Sequence, residues 1–182
     1  MKTPPDTWKR NQSETVADCR IFKVRKDFCT RDGDNEEAVF FVVENPDWVN
    51  VIALTKDEKV ILIEQFRHGA EEIILEIPGG MVDAGESHTI TAARELAEET
   101  GFAPREMIFL GKSRPNPAIQ NNWIYHYLAL DCEPTDKIKF DEHESIATKL
   151  LPLPDVKKLI ADGIITHSLV VAAFYYLSLQ KK

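Results

Sequence analysis

The sequence predicts an α+β fold. Short β-branched and aromatic runs fill residues 17–77, one helical stretch follows at 87–100, and further strand-like runs lead into two terminal helices. The first strands are expected at Ala17–Val24, Ala38–Glu44, Val49–Thr55, Val60–Phe66 and Glu72–Ile77. Turn chemistry separates them at Asp32-Gly33-Asp34, Asn45-Pro46-Asp47 and Lys56-Asp57-Glu58, the first being suited to a hairpin. A Gly-containing loop, Pro78–Gly85, leads into a helix at Ser87–Thr100, closed by Gly101 in the left-handed C′ position. Later strands are expected at Glu106–Lys112, Trp123–Leu130 and Ile146–Leu151, with long loops at Pro115–Asn122 and Asp131–Glu144. Helices at Pro154–Ala161 and His167–Leu179 end the chain, the second with an apolar stripe suited to docking.

The chain has 182 residues, enough for one domain with a substantial core. An excess of 30 acidic over 22 basic residues gives a net charge of −8, which leaves no electrostatic footprint for nucleic acid or an anionic membrane. A phosphate-bearing substrate would therefore need metal ions and local arginines to offset repulsion. The three cysteines, Cys19, Cys29 and Cys132, have no CxxC spacing and read as free thiols. Residues Met1–Asn11 lack the apolar region of a secretory signal and no run reaches membrane-spanning length, so a cytoplasmic location is expected.

Chemistry concentrates between Gly80 and Phe102. On a helix turning about 100° per residue, Glu95, Glu98 and Glu99 fall on one face, with Ile90, Ala93 and Ala97 expected opposite, toward the core. Glu95 and Glu99 form a like-charge i, i+4 pair, so a cation is expected beside them. Converging carboxylates offer hard oxygen ligands to Mg²⁺ or Mn²⁺, which would also bind diphosphate oxygens and acidify a bound water. Arg94 is expected to pair with Glu86 and fix the loop on the helix. Gly79, Gly80 and Gly85 are expected to allow tight turning and close approach of backbone to metal.

The segment resembles the Nudix box, GX5EX7REUXEEXGU with U a bulky apolar residue, and matches all nine specified positions from Gly80 to Phe102. The resemblance implies an α/β/α sandwich around a mixed sheet, here with an antiparallel N-terminal strand region. It also implies metal binding by the Gly79 carbonyl, Glu95 and Glu99, with Glu98 close by as a metal-side and catalytic carboxylate. In that frame residues 1–15 are an N-terminal tail, 16–48 are strands for dimerisation and base binding, and 49–182 are the hydrolase domain.

The flanks narrow the branch. Ile63-Glu64-Gln65-Phe66-Arg67 followed by Leu75-Glu76-Ile77-Pro78-Gly79-Gly80 is similar to the pattern of ADP-ribose and nucleoside-diphosphate-sugar pyrophosphatases. Pro117, fifteen residues beyond Phe102, stands where that branch carries a marker proline. Arg67 is expected to clamp a diphosphate with its planar fork of donors, and Glu76 to be a metal-side or structural carboxylate. The resemblance places a catalytic base in the acidic loop, where Glu142 and Glu144 are both candidates and Glu142 is preferred. Trp48, Phe28 and Phe22 are candidates for stacking on the base, and Gln120 with its neighbouring amides for contacts that broaden specificity beyond ADP-ribose.

The expected activity is Mg²⁺-dependent hydrolysis of a nucleoside diphosphate sugar, such as ADP-ribose or GDP-mannose, to a nucleoside monophosphate and a sugar phosphate, by a homodimer. The alternatives are a nucleotide sensor without catalysis and an enzyme of nucleoside or dinucleoside polyphosphates.

Overall fold

The computed structural model describes residues 4–140 and 145–180. The chain divides into two compact units, residues 1–46 with 116–122, and residues 47–115 with 123–182.

The first unit is a three-stranded antiparallel sheet, β1 (Trp8–Asp18), β2 (Lys23–Arg31) and β3 (Glu37–Glu44), in that spatial order. Its first strand corrects the expected tail and the strand expected at 17–24. Residues 8–15 are paired in β1, while Cys19–Phe22 form the turn, with Arg20 left-handed at φ 69°. No apolar alternation marks β1, because cross-strand polar pairs support it. Glu14 faces Lys26 at 3.2 Å, Asp18 faces Lys23 at 3.1 Å, and Ser13 Oγ donates to the buried Asp27 at 2.5 Å. The loop 116–122 joins this unit rather than the later part of the chain. The Val43 N–H donates to the Ile119 carbonyl at 2.8 Å and the Asn45 N–H to Asn121 Oδ1 at 3.0 Å.

The second unit contains β4 (Trp48–Thr55), β5 (Lys59–Arg67), β6 (Glu72–Glu76), β7 (Gly79–Met81), α1 (His88–Thr100), β8 (Phe102–Ala103), β9 (Glu106–Ser113), β10 (Ile124–Pro134), β11 (Ile146–Pro152), α2 (Leu153–Ala161) and α3 (Ser168–Ser178). Trp48, expected among the N-terminal strands, opens β4 instead. The sheet is mixed: β4 runs parallel to β10, and the other pairings are antiparallel along β11-β5-β4-β10-β8, with β6 on β5, β7 on β4 and β9 on β10.

Alternation along the central strands divides the core into two layers. Val49, Val51, Ala53, Ile61, Tyr127 and Ala129 pack with Ala92 and Leu96 of α1. Ile52, Val60, Leu62, Leu110 and Leu128 pack with Val156 of α2 and Val170, Ala173 and Phe174 of α3. This is the α/β/α sandwich. Among the described residues no helix is long and apolar enough to cross a membrane.

A buried polar chain anchors α3. Asn50 Nδ2 donates to the Leu169 carbonyl at 2.9 Å, so Asn50 Oδ1 is the acceptor facing His126 Nδ1 at 2.8 Å. His126 is therefore the neutral Nδ1–H tautomer, and its Nε2 accepts from Ser113 Oγ at 2.9 Å. Burial pushes the His126 pKa down to about 4.

Candidate active site

Helix α1 starts and stops as its sequence requires. The Ser87 side chain accepts from the Ile90 N–H, and Gly101 closes the helix at φ 72°, donating its N–H to the Ala97 carbonyl at 2.9 Å. Its inner face differs from the expected one. Ile90 is 60% exposed, and the buried positions are Thr91, Ala92, Leu96, Ala97, Glu99 and Thr100. Glu99 thus turns partly inward, whereas Glu95 and Glu98 stay half-buried.

Arg94 sets positive charge beside Glu95 and Glu98, whereas Glu99 is met by the Gly79 N–H. Arg94 Nη1 donates to Glu95 Oε1 at 3.0 Å and to Glu98 Oε2 at 2.9 Å. Its Nε and Nη2 reach Glu86 Oε1 and Oε2 at 3.3 and 3.1 Å. Thr91 Oγ1 donates to the same Glu86 carboxylate at 2.8 Å. Arg94, with Thr91, holds the Glu86 carboxyl below its ordinary range, and Glu86 in turn raises the Arg94 pKa. One guanidinium therefore locks loop to helix and spreads positive charge over three carboxylates. Arg94→Ala is expected to lower stability by about 2 kcal/mol, allowing for its partial exposure. Urea denaturation checks this, and Arg94→Lys should recover less than half because a point charge cannot replace the fork.

Strand β7 brings backbone to the carboxylates. It pairs with β4, placing Gly79 opposite Asn50, Gly80 opposite Val49 and Met81 opposite Trp48. The Gly79 N–H donates to Glu99 Oε2 at 2.9 Å. A Cβ at Gly80 would collide with the Glu95 carboxylate, and one at Gly79 would lie 2.9 Å from Asn50 Cα. These glycines sit in a strand, so they serve close approach rather than turning. Among the described residues no three His, Cys, Asp or Glu side chains form a metal-holding group. Arg94 bridges Glu95 and Glu98, and Glu99 is held at the Gly79 N–H. Glu95 and Glu99 each lie against the Gly79–Gly80 backbone, where only glycine leaves room for their carboxylates.

Arg67, at the end of β5, is held by Glu76 of β6. Its Nε donates to Glu76 Oε1 at 2.7 Å and its Nη2 to Oε2 at 3.0 Å. Glu76 is only 2% exposed, and His167 Nδ1 lies 2.9 Å from its Oε2. Burial pushes the Glu76 carboxyl up, but His167 and Arg67 outweigh it and hold the pKa below the usual range. Glu76 is therefore a partner of the arginine. His167 was legible only as the start of a helix.

Phe28, Pro117 and Gln120 belong to the first unit: Phe28 lies on β2 with Lys26 Nζ 4.7 Å from its ring centre, and Pro117 and Gln120 lie in the 116–122 loop. Phe22 lies in the turn before β2. Glu142 and Glu144 lie outside the described residues.

The NUDIX domain family matches residues 44–173, and the chain belongs to it. It is 34% identical over 141 residues, 77% of this chain and 76% of the relative, to the methanol dehydrogenase activator of Bacillus methanolicus. It is 30% identical, with the same shares covered, to the ADP-ribose pyrophosphatase of Bacillus subtilis strain 168. A crystal structure of an ADP compounds hydrolase superposes with a TM-score of 0.83 at 26% identity, over 98% of this chain and 95% of that one. The chain is a Nudix hydrolase of the pyrophosphatase branch.

Proposed function

We propose that this protein hydrolyses the diphosphate bond of nucleoside diphosphate sugars, ADP-ribose and related ADP compounds foremost. The observation that carries the reading is the paired arrangement in one unit. Glu95 and Glu99 meet a glycine backbone with Glu98 tied beside them to Arg94, and three residues before Gly79 a buried carboxylate fixes an arginine fork. Similarity to the Bacillus subtilis ADP-ribose pyrophosphatase supports the same substrate class.

In this reading Gly79, Glu95 and Glu99 hold Mg²⁺, or Mn²⁺ in its place, and Glu98 stands beside them. When bound, such an ion neutralises diphosphate charge and acidifies a water molecule. Arg67 binds the diphosphate through charge-assisted hydrogen bonds. Glu142 or Glu144 takes the proton from the attacking water. Within the second unit Trp48 stacks on the base. Dimerisation through the first unit would cover Val39 and Phe41, which share one face of β3 and are 45% and 57% exposed.

A panel of ADP-ribose, ADP-glucose, GDP-mannose, ATP and diadenosine polyphosphates, assayed with Mg²⁺, tests the reading. Sugar diphosphates should exceed ATP in kcat/KM by at least roughly a hundredfold, about 3 kcal/mol of transition-state discrimination. Turnover of ATP or diadenosine polyphosphates alone would replace this assignment, and binding without turnover would make the protein a sensor.

A further inference from the structure

We propose that His167 is a positioning residue for the diphosphate clamp, acting through Glu76 to fix the direction of the Arg67 guanidinium. The inference rests on the proposed role of Arg67. An arginine side chain that is 43% exposed has many rotamers to lose before it points in one direction. Glu76 removes that freedom only if its own carboxylate cannot turn. Among the described residues Oε1 faces Arg67 Nε, whereas Oε2 is shared between Arg67 Nη2 at 3.0 Å and His167 Nδ1 at 2.9 Å. The ring nitrogen lies close to Oε2 but out of line for a well-formed hydrogen bond, so His167 acts as a wall against the carboxylate.

The wall is itself anchored. His167 is the N-cap of α3, and its carbonyl accepts from the Val170 and Val171 N–H groups at 3.0 and 3.1 Å. Two residues further on, the Leu169 carbonyl is tied to Asn50, the residue opposite Gly79 in the β4–β7 pairing. The start of α3 thus braces the carboxylate that aims the arginine. Arg67 and Glu76 come from the paired strands β5 and β6, and His167 from the distant approach to α3.

The test uses His167→Ala, His167→Gln and Arg67→Lys in the full chain. Without substrate, proton exchange at the Arg67 Nε–H, followed by ¹⁵N-resolved NMR, should quicken at least tenfold in His167→Ala and return to within threefold of wild type in His167→Gln. With ADP-ribose, His167→Ala should raise KM about tenfold and leave kcat within twofold. Adding it to Arg67→Lys should raise KM no further. Unchanged Arg67 exchange in a folded His167→Ala protein, or effects of His167 and Arg67 that multiply independently, overturns the inference. Failure of the wild type to cleave any sugar diphosphate refutes the substrate reading instead, and the exchange measurement still decides the role of His167.

Discussion

Glu99→Gln is expected to lower kcat on ADP-ribose by roughly a thousandfold, equivalent to about 4 kcal/mol of barrier, while the protein stays folded. Glu99 is 4% exposed and accepts the Gly79 N–H at 2.9 Å. Glutamine has nearly the same volume and retains a carbonyl oxygen for that bond, so the β7–α1 contact survives. The negative charge is lost, and charge is what a divalent ion requires of a carboxylate ligand. The melting temperature should move by no more than about 3 °C, and the Mg²⁺ concentration for half-maximal rate should rise. Near-normal turnover would remove Glu99 from the metal site. Glu98→Gln should cost less, because Glu98 is half-buried and bound to Arg94 rather than to the glycine strand.

The second large effect is on stability. His126 is fully buried and neutral, with its pKa pushed down to about 4 by burial, while in the unfolded chain it returns to the ordinary value of 6.5. Between these values the unfolded chain binds the proton and the folded one does not, so stability falls with falling pH. The loss begins as pH drops through 6.5 and is complete below 4. By linkage it amounts to about 2 kcal/mol at pH 5 and approaches about 3 kcal/mol below pH 4. Urea denaturation of wild type and His126→Gln across pH 4–7.5 isolates this term, since the variant should lack the added slope. Parallel pH profiles for the two proteins would show that His126 titrates alike in both states.

Most elements of the second unit were legible because its core strands alternate and its helices carry their own punctuation. Val49, Val51 and Ala53 point to one layer, and Ser87 and Gly101 bracket α1. β1 was hidden because Trp8–Asp18 has almost no buried face, and its pairing rests on partners such as Lys26 and Lys23 that local reading cannot supply. On the inner face of α1, Ala97 is buried as expected and Ile90 is not. Apolar character suggested Ile90, yet the sheet selects the small Ala92 and Leu96 and draws in Glu99 to meet the Gly79 N–H. The pairing of Arg94 with Glu86 was readable from box spacing, because both partners lie in one loop-helix segment. The Arg67–Glu76–His167 grouping was not, since His167 is 91 residues from Glu76 and reaches it only once α3 packs on the sheet.

The loop and helix from Gly79 to Gly101 are proposed to form a metal-dependent diphosphate-cleaving centre. Chromatographic product analysis of ADP-ribose incubated with the protein, with Mg²⁺ or with EDTA, tests it most directly. AMP and ribose 5-phosphate should appear in equal amounts with Mg²⁺ and be absent with EDTA. Intact ADP-ribose in both arms, or equal AMP formation in the presence of EDTA, would contradict it.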